Sequence, residues 1–485
     1  MTGTDEGAAV SDQATPSTRR ERDSMGELEV PSGAYYGAST MRAVLNFPIS
    51  PLRLPREFIR ALGLIKRDAA AVNTELGLLD QRLSTAIMQA AQEVVDGRFD
   101  DQFVIDVFQT GSGTSTNMNA NEVIANRAIE LLGGVLGSRS PVHPNDHVNL
   151  CQSSNDVIPS AIHVSAAVTV GRDLLPSLAT LEASLQAKSD EFWGVVKTGR
   201  THLQDATPIR LGQEFLGWAG QVERARRRVG QAVEELCELA LGGTAVGTGV
   251  NAHPEFAGRV IARLAGTTGI PFRETSNHFQ AQGTLDNVVA AHGALRSAAV
   301  SLHAIACDIR LLACGPRAGI AEIALPAVQP GSSIMPGKIN PVIAESLTMV
   351  AAQVVGNDAT VAFAGAAGSL LELNVMMPVA AYDLLESIAI LGAAATNFAR
   401  QLVDGITATD NGPALLERGL MICTGLVPRI GYDAAAQIAK EAFAAGRTVR
   451  EVARERTQLS EAELDELLDP EAMTEPSLTR VGAGG

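Results

Sequence analysis

Four short stretches of this 485-residue chain gather hydroxyl, amide, imidazole and ammonium groups. The first is Gln109-Thr-Gly-Ser-Gly-Thr-Ser-Thr-Asn-Met-Asn, with Ser112 and Thr114. The second is Ser153-Ser154-Asn155-Asp156, and the third is Gly199–Pro208, with Thr201 and His202. The fourth, Pro330-Gly-Ser-Ser-Ile-Met-Pro-Gly-Lys-Ile-Asn-Pro341, carries Ser332, Ser333, Lys338 and Asn340. Its glycines and prolines exclude regular structure and predict an ordered loop. Together these groups are neutral donors with one cation, which suits a small dianion. Lys338 would neutralise a carboxylate while backbone amides stabilise added charge on it. Proton abstraction beside a carboxylate needs that arrangement, and His202 is an acid/base suited to neutral pH.

Other chemistries fit less well. A phosphate-binding P-loop has four residues between its first glycine and Gly-Lys-Ser/Thr. Here five residues separate Gly331 from Gly337, and Ile339 follows Lys338. A Gly-x-Gly-x-x-Ala at 247–252 follows a helical pattern, not a strand, so it is no dinucleotide fingerprint. No Gly-x-Ser-x-Gly elbow occurs. His143 and His147 have metal-ligand spacing, but Pro144 and Asn145 make a helix through them improbable and no third ligand is evident. Structural roles stay open too: Thr201-His202 as a satisfied structural pair, Ser332 shaping its loop, Lys338 capping a helix, and 109–119 as an elaborate N-cap.

Helical patterning must position these loops. It predicts two modest helices within 57–98 and another over Glu122–Leu132, with 31–37 and 46–55 as loops. Five long Ala/Leu/Val-rich rods follow near 160–193, 210–240, 284–314, 342–364 and 379–404. In the third, Leu285, Val288, Val289, Leu295, Leu302, Ile305, Ile309 and Leu312 recur at helical steps, on flanks so small and apolar that the rod reads as buried nearly all round. Such a bundle implies apolar surface continuing into other copies, hence a homo-oligomer. Smaller helices follow residue 405, including a capped acidic one at Ser460–Leu468. The expected organisation is all-α, with a disordered tail at 1–20, a helical domain at 21–150, a five-helix bundle domain at 151–408 and a small helical domain at 409–485.

A formal net charge of −16 and 4% aromatic residues speak against nucleic-acid or anionic-membrane partners. Five scattered cysteines without a Cys-x-x-Cys pair read as reduced thiols of a cytoplasmic protein. No signal or transit peptide is evident. The longest uncharged apolar runs, Ala359–Leu371 and Ser387–Ala399, are too short to span a bilayer. The expectation is a soluble protein.

The stretch Gly331–Asn340, together with Asp23-Ser-Met-Gly, Gln109–Asn121, His143–Pro159, Gly199–Gly217, Gly242–Phe256 and Gly431-Tyr-Asp, resembles the aspartase/fumarase superfamily, and within it the class II fumarases. The resemblance implies an all-α homotetramer with a twenty-helix core, active sites shared between three subunits, no cofactor, no metal and a C4 dicarboxylate substrate. It implies Ser332 as the base removing the C3 proton. His202 would handle the departing hydroxyl through a bound water, with Glu345 as its acidic partner. Implied substrate contacts are Ser112, Gly113, Thr114, Ser153, Ser154, Asn155, Thr201, Ser333, Lys338, Ile339 and Asn340. His143, Pro144, Asn145 and Asp146 match a secondary dicarboxylate site, whose basic residue is replaced here by Ser140. Gly337, Ser154 and Gly243 look like fumarases; Tyr35-Tyr36-Gly37, Pro341-Val-Ile and the Glu-Leu-Asp-Glu-Leu-Leu-Asp-Pro tail look closer to aspartases. Asn277-His-Phe-Gln-Ala281 and Leu-Asn-Val-Met-Met-Pro378 depart from the usual fumarase pattern. The alternatives are an aspartate ammonia-lyase and a silent structural protein of the crystallin kind.

Overall fold

A computed structural model describes residues 17–478 and residue 481. The expected tail therefore lies almost wholly outside the described residues. Its last positions belong to a hairpin the sequence reading did not anticipate: β1 (Thr18–Asp23) pairs antiparallel with β2 (Gly26–Pro31). Charge hides the strand pattern here, yet the charges pair across the ladder, with Arg20 opposite Glu29 and its guanidinium 3.2 Å from that carboxylate.

A short helix α1 (Ala38–Asn46) follows, then α2 (Arg56–Glu75) and α3 (Gln81–Val95), the expected pair. Asp80 caps α3 by accepting the N–H groups of Arg82 and Leu83. α4 spans Thr114–Leu131, beginning two turns before the predicted start at Glu122. Asparagines usually compete with helix backbone, but here Asn119 donates to the Gln102 carbonyl and Asn117 and Asn121 to Asn149, so α4 tolerates them.

The five rods are present. The first is α5 (Ser154–Thr169), a π-turn at Val170–Leu174 and α6 (Leu175–Glu191). A hairpin, β3 (Val196–Thr201) and β4 (Gln204–Arg210), precedes α7 (Leu211–Leu236). After α8 (Phe256–Thr268) and α9 (His278–Gly283) come α10 (Asp286–Leu312), α11 (Val342–Gly368) and α12 (Met377–Gln401). Small helices close the chain: α13 (Asn411–Leu416), α14 (Val427–Ile430), α15 (Tyr432–Ala445), α16 (Val449–Arg456) and α17 (Glu461–Leu467). The last three pack Ile438, Ala442, Val452 and Leu464 together, and Thr448 and Ser460 form capping boxes.

The described residues form two compact units. One runs to Thr169 and adds Val233–His292 and Asp358–Glu386; the other takes Val170–Ala232, Gly293–Asn357 and the chain from Ser387. In the first, α2 packs against α3, α5 and α8 around Phe58, Leu62, Ile65, Ile87 and Ile162. In the second, α10 buries Leu295, Leu302, Ile305 and Ile309.

Two expectations need correction. α10 is not buried all round, since Val300 is 56% exposed. On α11, Met349 and Phe363 are likewise exposed. Among the described residues, three helices, Asp286–Leu312, Val342–Gly368 and Met377–Gly405, are long and apolar enough to cross a membrane by length and composition. Counting only uncharged runs missed them, because charges such as Arg296, Asp358 and Asp383 interrupt each apolar sequence.

Candidate active site

The first unit joins two of the polar stretches. Gly113, in left-handed backbone at φ 72°, is the N-cap of α4. Ser112 and Thr114 flank it with their hydroxyl oxygens 2.8 Å apart. Thr114 Oγ1 is also 2.8 Å from Ser154 Oγ, at the first residue of α5. Ser154 donates to Asn155 Oδ1 at 3.2 Å, and Asn155 Nδ2 donates to the Ala245 carbonyl at 2.8 Å. Ser153 Oγ accepts the Asn155 N–H at 3.2 Å. A relay of neutral hydroxyls thus runs between two helix N-termini, where backbone amides favour anions. A Cβ on Gly111 would fall 1.8 Å from the Val375 carbonyl oxygen, so only glycine lets the stretch before Ser112 approach that backbone.

The sequence reading missed Asp156 as a residue that fixes this cluster. Fully buried, it accepts N–H groups from Ser153 at 2.9 Å, Gly242 at 3.0 Å and Thr244 at 2.9 Å. Burial pushes its carboxyl above the usual range, while those three N–H groups pull the other way. A helix-start aspartate reads from sequence as an ordinary cap, and only the fold shows the 242–244 loop delivered onto it.

In the second unit, the Ser332 loop is closed by Gly331 N–H donating to the Lys338 carbonyl at 2.9 Å. A Cβ on Gly331 would meet that oxygen at 2.3 Å, which accounts for the glycine. Asn340 Nδ2 donates to the Gly331 carbonyl and pins the other end. Ser332 Oγ accepts two backbone N–H groups, from Ile334 at 3.2 Å and Met335 at 3.0 Å. Ser333, Lys338 and Ile339 are exposed. Glu345 stands in the first turn of α11, directly after the loop.

His202 also lies in the second unit, but not in the irregular loop expected over 199–208. It sits at the two-residue turn of the β3–β4 hairpin, beyond the closing pair Thr201–Gln204. His202 and Leu203 have φ 56° and 59°, the left-handed pair that fits strand twist in a tight hairpin but is uncommon without glycine or asparagine. Both are exposed, as is Thr201. The base of the hairpin is held by buried charge. Lys197 Nζ lies 2.8 Å from Glu214 and 3.0 Å from Glu322, and Arg200 lies 2.8 Å from Glu322, whose side chain is fully buried. Burial raises the Glu214 carboxyl, opposed by Lys197.

The His143–His147 segment does form a helical turn, contrary to expectation: a single π-turn over Pro144–Val148. His143 makes it possible by accepting the N–H groups of Asn145 and Asp146 on Nδ1, while Pro144 stands where no N–H is needed. His147 Nδ1 accepts the His143 N–H at 2.8 Å.

The chain is mainly helical, with hydroxyls at two helix starts in one unit and a Ser-Ser/Lys/Asn loop in the other. The sequence profile of the lyase family matches residues 26–356, and that of the fumarase C C-terminus matches residues 422–475. The chain belongs to this lyase family, in its fumarase branch. It is 52% identical over 464 residues to fumarate hydratase class II 2 of Bradyrhizobium diazoefficiens, covering 96% of this chain and 98% of that one. It is 55% identical over 457 residues to fumarate hydratase class II of Halobacterium salinarum, covering 94% and 97%. The solved class II fumarase of Schistosoma mansoni superposes with a TM-score of 0.92 at 38% identity, over 94% of this chain and 99% of that one.

Proposed function

We propose that this protein catalyses the reversible hydration of fumarate to L-malate by trans addition, without a cofactor. It is a carbon–oxygen lyase. In the dehydration direction Ser332 Oγ takes the C3 proton of malate, and the electron pair is held by the adjacent carboxylate as a dianionic aci-acid. The C2–O bond then breaks, and the leaving hydroxyl collects a proton through a water held by His202 and departs as water. Glu345 holds His202. Lys338 and Asn340 anchor the carboxylate that takes up charge, and Ser333, Ile339 and Thr201 complete that side. Ser112, Gly113, Thr114, Ser153, Ser154 and Asn155 bind the dianion through neutral donors. His143, Pro144, Asn145 and Asp146 form a secondary dicarboxylate site.

One observation carries the assignment of the base. The two N–H groups donating to Ser332 Oγ favour an alkoxide there, as an oxyanion hole does. The polar groups lie in two units, and Thr201, His202, Ser332, Ser333, Lys338 and Asn340 are each exposed or only part-buried. A homotetramer in which three copies complete each site accounts for this. It also accounts for the exposed apolar residues of α10 and α11, which other copies cover in place of lipid. The reading is of a soluble cytoplasmic enzyme, built along the chain from a region to residue 150, a bundle region to 408 and a small C-terminal region.

The fumarate double bond absorbs in the ultraviolet, so its appearance from L-malate and from L-aspartate, offered separately, tests the proposal. Absorbance should rise with malate alone. Turnover of aspartate alone would make the chain an ammonia-lyase, and inertness towards every C4 dicarboxylate would favour a structural role.

A further inference from the structure

Behind the Ser153–Asn155 segment lies a charged group that the reaction does not use. Lys66, in α2, is fully buried. Its Nζ donates to Asn149 Oδ1 at 2.9 Å. The same oxygen accepts from Asn117 Nδ2 and Asn121 Nδ2, each at 3.2 Å, from the helix whose start carries Ser112 and Thr114. Asn149 Nδ2 donates to the carbonyl of Gln152, the residue before Ser153, at 3.0 Å. Asp156 acts on Lys66 electrostatically and, as described, binds Ser153, Gly242 and Thr244.

The surroundings are rich in acceptors. Among the described residues, the buried side-chain oxygens of Asn73, Asn117, Asn121 and Gln152 meet no hydrogen-bond partner. Burying an ammonium is costly, and an apolar side chain of similar volume would fill the space at less expense. The charge therefore calls for a role beyond packing.

We propose that Lys66 is a positioning residue for the dicarboxylate site. Its ammonium holds Asn149 and balances Asp156, and so sets the hydroxyls of Ser112, Thr114, Ser153 and Ser154 where a dianion needs them. The inference rests on the reading of those hydroxyls as substrate contacts.

Burial lowers the Lys66 pKa to about 7, with Asp156 opposing. Acidic groups on the neighbouring elements have other partners: Asp68 has Arg67, Glu93 on α3 has Arg127, Glu75 has Arg263 on α8, and Glu122 on α4 accepts from Gly37, Ser39 and Thr40. His147, on the π-turn, is held towards its neutral form by burial. Asp156 is left as the opposite charge acting on Lys66. Dianion affinity should therefore weaken as pH rises through neutrality.

The test is the inhibition constant of succinate, a dicarboxylate that cannot react, measured from pH 6.5 to 8.5 in wild type, Lys66→Met, Asn149→Asp and Ser154→Ala. Wild type should bind about tenfold more weakly at the alkaline end, the scale of one charge-assisted hydrogen bond. K66M should bind about tenfold more weakly throughout with no inflection, and kcat should change less than the affinity. N149D places a carboxylate beside Nζ and should move the inflection up by about one pH unit or more. A folded K66M with wild-type affinity and inflection overturns the proposal. Should K66M not fold, an unmoved inflection in N149D overturns it instead. S154A with unchanged affinity would defeat the site reading; S154A weakened while K66M is not would defeat the Lys66 role alone.

Discussion

Ser332 Oγ accepts the backbone N–H of Met335 at 3.0 Å, and that of Ile334 at 3.2 Å. A free serine hydroxyl is far too weak an acid to serve as a base near neutral pH. Two donors aimed at its oxygen stabilise the deprotonated form, the same physics by which N–H groups lower a carboxylic pKa.

Ser332→Ala removes that oxygen and leaves the loop closure between Gly331 and Lys338 in place. Turnover should fall by about 10²–10⁴-fold, the usual worth of a positioned acid or base. Succinate inhibition should stay within about threefold of wild type. Steady-state kinetics on malate check both, and near-wild-type turnover would remove Ser332 from the mechanism.

Thr114→Val keeps the shape of the side chain and deletes the oxygen that links Ser112 with Ser154. Leaving those two hydroxyls short of a partner costs about 1–3 kcal/mol. The Michaelis constant for fumarate should rise about 5- to 100-fold, with a smaller change in turnover number.

Glu322→Gln leaves Lys197 and Arg200 with less negative charge beneath the His202 turn. Breaking one side of a buried ion pair costs about 3–5 kcal/mol. Guanidinium unfolding should shift to a lower midpoint, and turnover should fall because the hairpin carrying His202 loses its anchor. An unchanged midpoint would show that the network is not what holds the hairpin.

Lys66 also sets a pH dependence of stability. Its ordinary pKa of 10.5 applies in the unfolded chain, and the folded value is about 7. Between those values the unfolded chain binds the extra proton, so stability rises with pH. The cost of burying the ammonium is complete below about pH 7 and is relieved as pH climbs towards 10. Relative to Lys66→Met, wild type should therefore gain melting temperature across that window, and calorimetry at pH 7 and pH 9.5 would show it. Parallel melting temperatures would place the folded pKa elsewhere.

The helices were legible where apolar periodicity dominates, as in α2, α3 and the five rods. They were illegible where polar side chains are spent on tertiary partners. The first two turns of α4 read as loop because Asn117, Asn119 and Asn121 are poor helix formers until Asn149 and the Gln102 carbonyl take up their amides. The β1–β2 hairpin was hidden by charges such as Arg20 and Glu29 that pair across the ladder, and the His202 turn by left-handed residues other than glycine. Lys66 did leave a signal: it falls in helical phase with Ile59, Leu62, Ala69 and Asn73, where a charge is out of place.

By itself the sequence determined the all-α class, the five rods and the residue types of the four polar stretches, because periodicity and loop chemistry are local. Tertiary structure decided which groups meet. Thr114 bonds Ser154 across 40 residues, Asp156 gathers the 242–244 loop, and Glu322 anchors a hairpin more than a hundred residues earlier. Such contacts depend on how buried charges and hydrogen bonds are satisfied in three dimensions, and no spacing along the chain encodes that.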